Sequence, residues 1–126
     1  MYDVQHVIID NLQFLLGTQA RGFDKFDLQD KAIEAFRQLT TRKNIHMTLV
    51  VHPKKVEDGE DLNISSVFGS AKATQEADNV VILQNRERFR VIEVKKNRYN
   101  GDLCRNGVIF DKSNKNFYEM SFNEAG

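Results

Sequence analysis

The sequence predicts an α/β fold: parallel strands joined by a crossover helix, then antiparallel strands and a C-terminal hairpin. Three observations predict it. Short apolar runs at 7–9 and 45–51, rich in β-branched residues, are followed by Asp10 and His52, as suits parallel strands buried on both faces. Between them Leu28, Ala32, Ile33, Ala35, Phe36 and Leu39 recur on one face at helical spacing. Toward the C-terminus, apolar runs at 108–110 and 117–120 flank a stretch of turn formers at 111–116.

In chain order, the first strand exits after Asp10 into a loop. Asp24 or Asp27 supplies the N-terminal cap of a helix running to about Lys43. The second strand is closed by His52 and Pro53, the one proline of the chain. The strand, helix, strand unit calls for a right-handed parallel crossover. Residues 54–63 are charged and contain Gly59, so they read as a loop leading to Ser65 or Ser66 as the cap of one short helix ending near Ala77. Runs at 80–83 and 89–95, separated by polar residues 84–88, read as antiparallel neighbours.

With 126 residues, the chain has the commonest size for one domain, and a single core is expected. Lys and Arg number 18, as do Asp and Glu, so no global positive field gathers nucleic acid or an acidic membrane surface. Any DNA contact must come from a few placed residues. Mean hydropathy is negative, and no apolar run approaches the roughly 20 residues needed to cross a bilayer. Cys104 is the single cysteine, which excludes an internal disulfide and points to a reducing compartment. The sequence enters a strand almost at once, without a presequence, as expected of a piece cut from a longer protein.

Several residues could carry chemistry. Asp10 follows a parallel strand, at the sheet edge where open α/β folds bind ligands. A carboxylate there can hold magnesium through water, or simply cap a turn. His52 ends the neighbouring strand on the same rim, where an imidazole can donate to a phosphate; a structural histidine is the alternative. Gly69, Ser70, Lys72 and Gln75 lie in a small-residue stretch that either lets backbone approach a phosphate chain or packs closely on the sheet. Lys96 and Arg98, two apart, would project to one side of an extended chain. Asn100, Gly101 and Asp102 after them would fix the turn. No Gly-rich loop with Lys-Ser or Lys-Thr follows any strand, so no complete nucleotide site is encoded here.

Taken together, residues 6–14, the strand end at 51–53, the stretch 68–83 and residues 96–102 resemble, in order and spacing, the motifs of RecA-type hexameric replicative DNA helicases. The Twinkle-like mitochondrial branch is the nearest in pattern; the helicase half of phage primase-helicases is similar, and bacterial DnaB helicases more distantly so. Four motifs in sequence cover nearly the whole chain. The resemblance implies a partial RecA-like core, the C-terminal portion of a motor domain. Its enzyme would couple hydrolysis of ATP or another NTP, with magnesium, to 5′-to-3′ translocation on single-stranded DNA and unwinding of forked DNA.

The same resemblance makes Asp10 the magnesium-coordinating aspartate and His52 the sensor of the terminal phosphate. Gln75 becomes the link from phosphate to DNA loop. Residues 54–70 correspond to the DNA-contacting loop, with Lys54, Lys55, Gly69, Ser70 and Lys72 as contacts. Glu57, Asp58, Glu60 and Asp61 repel phosphate, so not every position of that loop can face DNA. Arg98 resembles the arginine finger, with Lys96 its companion, both acting on a neighbouring subunit's nucleotide in a ring. A location in the mitochondrial matrix or nucleoid is implied, with the cytoplasm of a bacterial or phage-infected cell as the alternative. The family places its phosphate loop and catalytic glutamate upstream of Asp10, so this chain alone is expected to be inactive. A DNA-dependent ATPase without unwinding and a non-catalytic interaction module are the rival readings.

Overall fold

A computed structural model of the chain describes residues 3–17, 25–53, 60–67 and 72–120. The chain divides into two compact units, Met1–Lys54 with Ser65–Glu76, and Lys55–Ile64 with Ala77–Gly126. Chain length points to one core, yet each unit builds its own sheet: a parallel pair in the first and an antiparallel four in the second.

In the first unit, β1 (His6–Asp10) and β2 (His46–Val50) pair in parallel from His6 opposite His46 to Asp10 opposite Val50. The bond from the His46 amide to the Gln5 carbonyl, 2.8 Å, adds one rung before the ladder. Among the described residues, two helices lie between the strands in sequence, α1 (Leu12–Gly17) and α2 (Lys25–Lys43). Asp27 in the first turn of α2, and Arg42 and Lys43 in its last, oppose the helix dipole with the favourable sign. Asn44 then takes the left-handed conformation, φ 51°, as asparagine tolerates at a helix end.

The apolar stripe of α2 buries Ile33 in a cluster with Leu12 and Ala73, and Leu16, Phe36, Leu49 and Val51 pack around it. Ala73 comes from α4 (Lys72–Glu76), which packs on α2.

Three expectations for this unit are corrected. Residues after Asp10 form α1 rather than a loop. Its six residues are too few to display a period, but Leu12 and Leu16, four apart, bring one helical face onto the cluster. Ser65 and Ser66 lie inside α3 (Ile64–Val67) instead of capping it, and α4 follows after residues 68–71, which lie outside the described residues. And β1 is covered on one face only: Val7 and Ile9 are half-buried, whereas Ile8 is 64% exposed. An apolar run records how readily a strand forms, not how many layers cover it.

The second unit is a meander of β3 (Asn79–Asn85), β4 (Arg90–Asn97), β5 (Cys104–Asp111) and β6 (Asn116–Glu119), antiparallel throughout. The antiparallel pairing and the terminal hairpin agree with the sequence reading, with β3, β4 and β5 each longer than read. The Arg86 amide bonds to the Phe89 carbonyl at 2.8 Å to close the first reversal. In the last, Asp111 accepts from the Ser113 amide at 2.8 Å and its hydroxyl at 2.6 Å, while Lys115 adopts φ 62°. These bonds from Ser113 hold the Asp111 carboxyl below its ordinary pKa. Alternation buries Ile82 and Gln84 and exposes Val81 and Leu83. Buried Gln84 is satisfied on both sides: its amide nitrogen donates to the Leu62 carbonyl at 3.2 Å, and its oxygen accepts from Arg86 at 3.2 Å.

Leu12 is fully enclosed, with no exposed surface, and Leu15 is 49% exposed. Leu12→Ala is therefore predicted to destabilise the first unit by roughly 2–5 kcal/mol, and Leu15→Ala by less than about 0.5 kcal/mol. Denaturant-dependent hydrogen exchange of the β1 and β2 amides measures both; equal effects would contradict this packing.

Candidate functional site

Parallel pairing carries Asp10 and His52 to the same, carboxyl end of the two-stranded sheet. Asp10 is the last residue of β1, opposite Val50, and His52 lies two residues beyond that partner; both side chains are exposed. The peptide bond from Asp10 to Asn11 is cis. Gln75 and Lys72 stand on α4, Gln75 exposed and Lys72 half-buried. Lys72 donates to Glu34 of α2 at 3.1 Å, and that bond raises the pKa of the ammonium.

One packing relation joins these positions. Leu12 follows Asp10 by two residues, Val51 immediately precedes His52, and Ala73 precedes Gln75 by two. Leu12 and Ala73 are buried in one cluster, and Val51 packs against it. Asp10, His52 and Gln75 are thus each anchored within two residues of a single close-packed core.

Arg98 and Lys96 belong to the second unit. Lys96 pairs with Val80, beside an irregularity in the β3–β4 ladder between Val80 and Val81. β4 stops at Asn97, so Arg98 lies past the strand rather than alternating with Lys96 along it. Its amide bonds to the Asp78 carbonyl at 2.9 Å, and its guanidinium donates to the Asp78 carboxylate at 2.8 Å.

The following turn is tied by its own side chains. Asn97 bonds to Asn100 and donates to the Asp102 carbonyl at 3.2 Å, and Asn100 donates to Asp102 at 2.8 Å. The Gly101 amide reaches the Asn97 carbonyl at 3.0 Å, with Gly101 at φ 78°, where glycine meets no steric penalty. Asn100, Gly101 and Asp102 do fix the turn.

Lys54, Lys55, Gly69 and Ser70 lie outside the described residues. Among the described residues, no three or more His, Cys, Asp or Glu side chains are grouped to hold a metal ion. No helix among them is long and apolar enough to cross a membrane.

Sequence reading missed one charged constellation. Asp61 accepts from Arg105 at 3.0 and 3.3 Å and also from Arg86. These residues are 44 and 25 positions away in sequence and become neighbours only in the fold. The Arg105 hydrogen bond is the main cause of the lowered Asp61 pKa, and it raises that of Arg105 in turn. Nearby, Glu93 accepts from Lys95 at 2.7 Å through Oε1, while its buried Oε2 has no hydrogen-bond partner and lies 4.0 Å from Arg105.

No protein-family model matches the sequence.

Because the folded Asp61 carboxyl has a depressed pKa, its contribution to stability is present above the unfolded value. It is lost as pH falls through the folded one. Below about pH 4 the wild-type chain is predicted to lose stability more steeply than Asp61→Asn. Denaturant titrations across the acid range test this; parallel curves would contradict the ion-pair assignment.

Proposed function

We propose that the chain is part of the motor of a RecA-like replicative DNA helicase of the Twinkle-like kind. Such an enzyme uses ATP or another NTP to translocate along single-stranded DNA as a ring and unwind forked duplex. The observation that supports this reading best is the common anchoring of Asp10, His52 and Gln75 on the Leu12, Ile33 and Ala73 cluster. A motor must pass the state of one phosphate group to a DNA-gripping segment. Close-packed interiors are stiff and transmit small displacements, so residues rooted in one cluster respond together.

The residues present fit one part of a nucleotide site. Asp10 offers a single exposed carboxylate at the sheet's carboxyl end. That suits magnesium, which keeps several waters and takes one or two carboxylates with phosphate oxygens. ATP with magnesium would supply the phosphoryl group whose transfer drives movement. His52 and Gln75 would donate hydrogen bonds to the terminal phosphate. Lys54, Lys55 and Lys72 would face DNA phosphates, with Gly69 and Ser70 allowing close backbone approach. The Gly-rich cradle for the phosphate chain is not encoded in these residues, so the reading requires it from a connected segment. The 126-residue chain alone is predicted to show no magnesium-dependent ATP binding by calorimetry at micromolar nucleotide. A micromolar affinity would overturn that division of labour.

In this reading Arg98 acts in trans on the nucleotide of the adjacent subunit, with Lys96 beside it. Its guanidinium is planar, forked and permanently charged, suited to oxygens that gain charge during phosphoryl transfer. Arginine fingers contribute roughly 10³ to 10⁵ in turnover. Arg98→Lys in the assembled helicase is therefore predicted to abolish most DNA-stimulated hydrolysis while leaving nucleotide binding largely intact. Mixing Arg98→Ala subunits with subunits inactivated in the phosphate loop should restore ATPase, since some interfaces then pair an intact finger with an intact loop. Absence of recovery in demonstrated mixed rings would contradict the assignment.

A further inference from the structure

At the opposite end of β1 and β2 from Asp10 and His52, two more histidines face each other. His6 and His46 are register partners on adjacent strands, and their rings meet edge to face with centroids 4.6 Å apart. His6 Nε2 lies 2.9 Å from the Thr48 hydroxyl oxygen, and His46 Nε2 lies 3.4 Å from the same oxygen. Both rings are exposed. Two imidazole nitrogens therefore already point at one spot, held there by the hydrogen-bonded ladder rather than by a loop.

We propose that His6 and His46 together bind one divalent transition-metal ion, zinc foremost, with the Thr48 hydroxyl turning aside to hold a metal-bound water. Imidazole nitrogen suits zinc, copper and nickel, whereas magnesium takes oxygen. Zinc binds histidine nitrogen at about 2.0–2.1 Å in tetrahedral geometry and accepts water in open positions. An ion held by both nitrogens would take the place of the hydroxyl oxygen that they now share. Among the described residues no third His, Cys, Asp or Glu joins them, so the ion is exchangeable and open to an added ligand. From His6 to Asp10 the strand spans about 13 Å at its usual rise; the site is separate from the proposed nucleotide site in place and in metal.

Zinc titration of the full chain, followed by calorimetry and by long-range nitrogen NMR of the imidazoles, tests this. One ion per chain is expected, shifting the Nε2 signals of His6 and His46 but not those of His52. His6→Gln and His46→Gln should each weaken binding at least about tenfold, with circular dichroism showing that each still folds. If a variant does not fold, the imidazole signals of the unsubstituted chain decide. Asp10→Asn and His52→Gln should bind zinc like the unsubstituted chain, and millimolar magnesium should leave the His6 and His46 signals unmoved. Loss of binding in His52→Gln, binding retained in the double histidine variant, or no binding at high micromolar zinc would each overturn the proposal. Failure of the helicase reading would alter none of the expected results.

Discussion

Burial of Leu12 against Ile33 and Ala73 is the constraint on which the first unit depends. A fully buried leucine contributes roughly 1.5–3 kcal/mol, and here it does so from a helix of only six residues that could not persist alone. Enclosing Leu12 fixes how the chain leaves Asp10. Packing of Val51 on the same cluster fixes how the chain reaches His52, and burial of Ala73 fixes the side of α4 turned away from Gln75. Apolar packing thus sets the positions of three polar residues that make no use of it themselves.

The second unit is organised by charge and turn chemistry as much as by its sheet. Arg98 is held by Asp78 through both backbone and side chain, at the start of a turn that Asn97, Asn100 and Asp102 make rigid. With the Arg98 side chain 46% exposed, a pair of this type is worth roughly 0.2–1 kcal/mol. A finger's contribution of three to five decades in rate corresponds to about 4–7 kcal/mol. Under the role proposed for Arg98, transition-state stabilisation would outweigh the ion pair, so Asp78 could hold Arg98 ready without preventing its transfer to a developing negative charge.

Much of the fold was legible because its signals are local. The β-branched runs mark β1 and β2, the Leu28 to Leu39 stripe marks α2, and the turn formers at 111–116 mark the last hairpin. What was not legible depends on distant partners. The helix after Asp10 exists because Leu12 meets Ile33 and Ala73, and Ile8 stays exposed because only one face of the pair is covered. Asp61 read as a repulsive charge in a loop; in the fold it is neutralised by Arg86 and Arg105, far away in sequence. Of the candidate site, the shared strand end of Asp10 and His52 followed from parallel pairing alone. The common cluster beneath them did not, since no spacing in the sequence announces it.

The central claim is that one buried cluster carries Asp10, His52 and Gln75 to a single nucleotide phosphate. A structure of the assembled parent protein with magnesium and a non-hydrolysable ATP analogue tests it most directly. The account predicts Asp10 linked to magnesium through water, with His52 and Gln75 both within hydrogen-bond reach of the terminal phosphate and Arg98 approaching from the adjacent subunit. A nucleotide seated away from the carboxyl ends of β1 and β2, or His52 and Gln75 directed away from its phosphates, would contradict it.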